Sequence, residues 1–214
     1  VKSGIYGSAG SIKRMFKDTI SNLDGSGIQI GNISLIDSCL IHDCKTGIES
    51  TKVDTIKRSR VYDCTGSGVS GSIKLVSHCE INNCGKGISS AVERIEYSDI
   101  NNNECGIYNY SGSGIGTIYE CTISGNKGKG IDSHLTLAYL LNSRVLNNGI
   151  GFTQYGKTEV IGNCSFLNNK EESIHFSDHA ILDSIYGSYF SGSKTAIYLG
   201  RVSGKNSSPK KEKN

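Results

Sequence analysis

Acid–base and aromatic side chains recur at one place in the sequence, directly after a step from a small residue to a hydrophobic one. Tyr108, Asp132 and His175 all occupy this place. A carboxylate and an imidazole can act as the acid and the base of a proton transfer near neutral pH, and a tyrosine can position a substrate. We therefore regard Asp132 and His175 as candidate catalytic residues and Tyr108 as a candidate binding residue. Tyr110, His134 and His179 follow them closely, so we expect these three to contact the substrate too.

The step that precedes these residues repeats through the chain. Its hydrophobic members are separated by 19 to 24 residues, and they are Ile5, Ile28, Ile48, Val69, Ile88, Ile107, Ile131, Phe152, Ile174 and Ile197. A second pattern keeps the same register: a small residue, a hydrophobic residue two positions later, and Cys or a small polar residue three further on, as in Cys39, Ile41 and Cys44. Two patterns with one period indicate a single repeat array.

Each repeat divides into three short apolar runs separated by turns, as in residues 27–30, 33–36 and 39–41. Brief runs rich in Ile and Val with polar neighbours are typical of strands. A leucine-rich repeat is disfavoured, because Cys44 is followed almost directly by Gly47 and the next strand, which leaves no room for a helix. The sequence predicts an all-β, right-handed parallel β-helix solenoid with three short strands per coil and about nine coils.

The position after each step points outward in such a solenoid, since neighbouring side chains of a strand point to opposite faces. We expect an exposed ladder of Gln29, Glu49, Ser70, Ser89, Tyr108, Asp132, Thr153, His175 and Tyr198. The hydrophobic members of the steps from Ile28 to Ile131 should form a buried column.

These repeats resemble those of the right-handed parallel β-helix proteins of the pectate-lyase-like superfamily. The resemblance covers nearly the whole chain and includes Asn103, Asn126, Asn148 and Asn169, one per repeat, where such proteins stack asparagines in a tight turn. It implies an extended glycan as the partner and an extracellular or cell-surface location. Lyases, hydrolases, epimerases and phage tailspikes share this fold, so the resemblance leaves the activity open.

Two functions remain as expectations. The first is binding or processing of a polysaccharide along a flat sheet, which for an enzyme means a polysaccharide lyase or a glycoside hydrolase. Asp132 and His175 would then lie two rungs apart, about 9 to 10 Å, which leaves room for a sugar and a water. The alternative is a non-catalytic spike, adhesin or assembly segment.

Composition and the extent of the repeats together predict the domain organisation. With 27 Gly, 1 Pro, no Trp and a net charge of +3, the chain favours short strands and tight turns. We expect an irregular first coil and cap over residues 1–26, with an amphipathic turn at Ile12–Phe16, then the β-helix over 27–202. Residues 203–214 hold four Lys against one Glu and predict a disordered tail or linker.

The repeat body is then neutral, which argues against nucleic acid as a partner, and no apolar stretch is long enough to insert into a membrane. Because residue 1 is Val, we expect a processed chain or a part of a longer one, and a homo-oligomer is possible.

The eight cysteines do not suggest a metal site or a cofactor. Cys39 and Cys44 are five residues apart, about 16 Å along a strand, too far to share a tetrahedral metal. Cys39, Cys79, Cys121 and Cys164 alternate with Ser59, Ser98 and Ser143 at one small position. We expect reduced thiols that pack inward as small hydrophobic groups.

Overall fold

The computed structural model describes residues 4–200, and within them every strand pairing is parallel and no helix occurs. Twenty-two strands wind into a solenoid of about nine turns. This confirms the predicted all-β solenoid. The predicted tail, residues 203–214, lies outside the described residues.

Each coil contributes to three sheets, which we name A, B and C in the order in which the chain passes through them. Sheet A contains β10 (Cys105–Asn109), β13 (Lys129–Ser133), β16 (Ile150–Gln154), β19 (Glu172–Phe176) and β22 (Thr195–Leu199). Sheet B contains β2 (Met15–Phe16), β11 (Ile115–Tyr119), β14 (Leu137–Leu141), β17 (Lys157–Gly162) and β20 (Ile181–Tyr186). Sheet C contains β5 (Arg60–Tyr62), β7 (Glu80–Asn82), β9 (Asp99–Asn101), β12 (Thr122–Ser124), β15 (Arg144–Leu146), β18 (Ser165–Leu167) and β21 (Tyr189–Ser191).

Five longer strands continue around a corner and serve more than one sheet. They are β1 (Ile5–Ile12), β3 (Thr19–Asp37), β4 (Leu40–Lys57), β6 (Ser67–Ser77) and β8 (Lys86–Glu96). Regular pairing already begins in the first coil, where Ile5 lies opposite Ile28. The amphipathic turn predicted at Ile12–Phe16 is wrong, because Ile12 ends β1 and residues 15–16 form β2, which pairs with β3. The edge of β3 is thus covered by strands between Ile28 and Asp37.

The core consists of inward columns of branched side chains, one residue per coil. The column of sheet A is fully buried, which confirms the prediction, and consists of Ile28, Ile48, Val69, Ile88, Ile107 and Ile131, followed by Phe152 and Ile174. Sheet C contributes Ile41, Val61, Ile81, Ile100, Ile123, Val145 and Phe166 in the same way. Burial of an aliphatic side chain contributes about 1.5–3 kcal/mol, so these columns supply the main stabilisation of the fold.

Small polar side chains tie successive coils together inside the solenoid. The amides of four asparagines form a chain: Asn103 Nδ2 donates to Asn126 Oδ1 at 3.1 Å, Asn126 Nδ2 to Asn148 Oδ1 at 2.8 Å, and Asn148 Nδ2 to Asn169 Oδ1 at 3.1 Å. A second column alternates cysteine with serine, and the Cys79 backbone N–H donates to Ser98 Oγ at 3.0 Å. All eight cysteines are free thiols and seven are buried.

Each coil turns twice through a residue with positive φ. At the corner between sheets C and A these residues are Asn22, Asp43, Asp63, Asn83, Asn102, Gly125, Asn147, Asn168 and Gly192. Asn, Asp and Gly adopt this conformation most readily. The corner between sheets B and C is different, because its early coils place Lys17, Ser38, Arg58, His78, Tyr97 and Glu120 there.

Candidate functional site

Tyr108, Asp132 and His175, the predicted site residues of the ladder, lie on the outer surface of sheet A. Strand pairing places Tyr108 beside Asp132, Asp132 beside Thr153, and Thr153 beside His175. The ladder predicted from the sequence is therefore one column of neighbouring residues. It continues from His175 to Tyr198 in β22.

Asp132 is covered rather than exposed, so this part of the prediction is wrong. Only 8% of the residue is accessible, because Lys129 Nζ lies 2.9 Å and His134 Nε2 3.5 Å from its Oδ1. Thr153, the next residue of the column, is also buried, and its hydroxyl has no hydrogen-bond partner among residues 4–200. Two positions that a strand pattern alone assigns to solvent are thus buried, and at Asp132 the covering side chains are those of Lys129 and His134.

Lys129 is held by the same contacts. Desolvation acts to lower its pKa, but hydrogen bonds to Asp132 and to the Tyr155 hydroxyl, 3.2 Å away, outweigh that effect and raise the pKa. The lysine is therefore a fixed cation at neutral pH, and it keeps Asp132 in contact with a positive charge.

Four rings surround this ion pair and form what we call the aromatic cluster: Tyr108, Tyr110, His134 and Tyr155. His134 stacks on Tyr155 with ring centroids 4.2 Å apart and meets the Tyr110 ring edge-on at 4.9 Å. Tyr108 and Tyr110 are parallel, with centroids 6.3 Å apart. The structure therefore brings together three of the four predicted binding residues.

The rings of the aromatic cluster differ in accessibility. Tyr110 is 64% exposed and Tyr155 39%. Tyr108 is half-buried, and Lys86 Nζ lies 3.7 Å from the centre of its ring. Because Lys86 covers one face of Tyr108, Tyr110 offers the larger free surface to a ligand.

His175 and His179 stand apart from the aromatic cluster. His175 Nδ1 lies 2.6 Å from Glu172 Oε2, and its ring stacks on Tyr198 with centroids 4.7 Å apart. Asp132 and His175 are thus separated by the rung of Thr153. The charged partner of Asp132 is Lys129, and that of His175 is Glu172. His179 is exposed in the turn after β19, and none of the four clustered rings contacts it.

Lys86, Lys129 and Tyr155 were missed by the sequence reasoning, although a positional signal exists for each. Lys86 and Lys129 stand two residues before Ile88 and Ile131, the hydrophobic members of their steps. Tyr155 stands three residues after Phe152, as Tyr110 and His134 follow their own steps. These offsets define two further outward columns beside the predicted one.

Between residues 4 and 200, no group of three or more His, Cys, Asp or Glu is arranged to hold a metal ion. The same part of the chain has no helix that is long and apolar enough to cross a membrane.

Comparison with known families gives one match. The family described as "Right handed beta helix region" matches residues 2–142, well over half of the 214-residue chain. No curated protein and no solved structure matches the chain significantly.

Proposed function

The chain belongs to the right-handed β-helix family, and from that premise we propose that it binds an extended polysaccharide along the outer surface of sheet A. The observation that carries the proposal is the aromatic cluster, in which Tyr110 and Tyr155 expose ring surface beside fixed charges. Aromatic rings give an apolar face to one side of a sugar, while polar tips and charged groups can bond its hydroxyls.

The polar groups around the rings support the same proposal. Lys86 and Lys129 supply hydrogen-bond donors next to the rings. Parallel strands repeat about every 4.8 Å, so an extended chain that lies across several rungs meets a regular series of side chains. Binding along sheet A needs no deep cavity.

Binding is better supported than acid–base catalysis by Asp132 and His175. Asp132 would first have to part from Lys129, and His175 from Glu172, before either could exchange a proton with a substrate. A lyase, hydrolase or epimerase activity therefore remains a narrower form of the proposal. Within it, His134 is the histidine nearest to Asp132.

The alternative, a non-catalytic assembly segment, has its own supporting observation. The last described coil exposes apolar side chains that nothing in the described chain covers: Ile181, Ile197 and Leu199. Such a surface fits a rod that is extended by further structure. We rank it second because it leaves the aromatic cluster without a role.

A glycan array with the full chain tests the proposal. Tyr110→Ala should weaken binding to any captured glycan at least tenfold, because it removes the most exposed ring of the cluster. Tyr139→Ala is the matched control, since Tyr139 is 38% exposed on sheet B. Incubation of the captured glycan with the protein, followed by a search for unsaturated or shortened products, then separates binding from processing. Equal binding by Tyr110→Ala and the wild type would exclude the cluster as the site.

A further inference from the structure

The corner between sheets B and C carries bulky side chains in an unfavourable backbone conformation. Arg58, His78, Tyr97 and Glu120 have φ values of 49°, 53°, 48° and 47° in successive coils. In later coils the same corner has Asn142, Asn163 and Gly187, which tolerate positive φ. The first group therefore carries backbone strain that the fold itself does not require. Strain of this kind concentrates where side chains contact a ligand.

The strained residues form a continuous surface with Tyr119, which we call the aromatic corner: Arg58, His78, Tyr97, Tyr119 and Glu120. The His78 and Tyr97 rings have centroids 5.0 Å apart, and Tyr97 meets Tyr119 edge-on at 5.7 Å. His78 is exposed, and Tyr97 is 43% exposed. A hydrogen bond from the Tyr119 hydroxyl to Glu120 raises the pKa of Tyr119 and fixes the edge of the surface.

Charges at the aromatic corner cancel one another. Arg58 donates two hydrogen bonds to Asp37 Oδ1, at 2.8 and 3.0 Å, and Arg94 Nε lies 2.5 Å from Glu96 Oε2. With Lys57 and Glu120, three basic residues face three acidic ones. A surface balanced in this way has no net attraction for an anionic or a cationic polymer.

The composition of the aromatic corner also distinguishes between partners. Three of its five members are aromatic, two are charged, and none is aliphatic. Protein interfaces are also enriched in tyrosine and arginine, but their centres are apolar and depleted of charge. Rings flanked by paired charges instead match the alternation of apolar ring faces and hydroxyl groups in a sugar chain.

We propose that the aromatic corner is a second carbohydrate-binding surface, separate from sheet A, that takes a neutral polysaccharide lying along the solenoid axis. Tyr97 and His78 supply the ring surfaces. The guanidinium of Arg58 and the carboxylate of Glu120 bond hydroxyl groups at either end. This surface is independent of the aromatic cluster, because the two occupy different sides of the coil.

The test uses the positive φ at His78 and Tyr97, which asparagine adopts more readily than either residue. The double variant His78→Asn, Tyr97→Asn removes both rings but leaves residues that tolerate positive φ. Its melting temperature should equal or exceed that of the wild type. Affinity electrophoresis of the full chain, through native gels that contain β-glucan, mannan, xylan or polygalacturonate, should show at least a tenfold higher dissociation constant for a neutral polysaccharide.

Two further comparisons complete the design. Tyr139→Asn, on the outer surface of sheet B, should bind the neutral polysaccharide as the wild type does. In a Tyr110→Ala background the His78→Asn, Tyr97→Asn double variant should still raise the dissociation constant at least tenfold, which separates the aromatic corner from sheet A. If Tyr110→Ala weakens retardation by the neutral polysaccharide and the His78→Asn, Tyr97→Asn double variant does not, the second surface is overturned and the first proposal still stands. Failure of all three neutral polysaccharides to retard the wild type would overturn it as well.

Discussion

Lys129 Nζ donates a hydrogen bond of 2.9 Å to Asp132 Oδ1 on the outer surface of sheet A. The same nitrogen lies 3.2 Å from the Tyr155 hydroxyl. An ion pair thus forms the floor of the aromatic cluster and fixes the geometry of the rings above it.

The first prediction concerns the contribution of Lys129 at high pH. Its folded-state pKa is raised above the usual 10.5, so its stabilising contribution is complete below pH 10.5 and is lost as the pH rises through the folded-state value. Lys129→Met should therefore be less stable than the wild type at pH 8, and the gap should narrow by pH 11. Urea unfolding at both pH values measures it. A gap that widens at pH 11 would contradict the raised pKa.

The second prediction contrasts adjacent residues of β7. Ile81 is completely buried, whereas Glu80 points outward and pairs with Arg60 at 2.7 Å. Ile81→Asp should lower the free energy of unfolding by several kcal/mol (roughly 3 or more), because it buries an unpaired carboxylate. Glu80→Ala should cost less than about 1 kcal/mol, as exposed ion pairs do. Thermal melts of the two variants give the comparison, and similar losses would mean that the inward and outward assignments in β7 are wrong.

The third prediction concerns the asparagine chain. Asn126 Oδ1 accepts from the backbone N–H and the amide of Asn103, at 3.0 and 3.1 Å. Asn126→Ala should lower the free energy of unfolding by about 2–6 kcal/mol, because two buried donors of Asn103 lose their partner at about 1–3 kcal/mol each. Asn101→Ala, on the outer side of β9, is the control and should cost less than about 1 kcal/mol. A small loss in Asn126→Ala would show that another acceptor replaces the amide.

The fourth prediction concerns thiol reactivity. Burial raises the pKa of Cys44, Cys79 and Cys164 to about 11 and that of Cys105 and Cys121 to about 12. At pH 8 a thiol with a pKa of 11 is ionised to a fraction on the order of 10⁻³, so native labelling by a disulfide reagent should be slow. All eight thiols should react promptly in denaturant. A thiol among these five that reacts fast in the native protein would mark a coil that opens locally.

The inward columns could be predicted from the sequence because their positions are periodic and their burial follows from strand geometry. Ile48 and Ile131 share one environment, 83 residues apart, since each follows a glycine at the same corner. The cover over Asp132 could not be predicted in this way. It depends on the side-chain conformations of Lys129 and His134. Such conformations produce no periodic pattern in the sequence. The conformation of Tyr97 could not be predicted either, because tyrosine rarely adopts the positive φ that this residue has.

The parallel pairing has a further consequence for how the chain folds and changes length. Every strand finds its partner one coil away, so nearly all backbone pairings span a similar, modest stretch of chain. Folding can then nucleate in any pair of coils and spread to both ends, one rung at a time. Deletion of a whole coil would shorten the rod by one strand spacing, about 4.8 Å, and bring together two coils that already have matching surfaces. The length of the solenoid therefore changes in steps of one repeat.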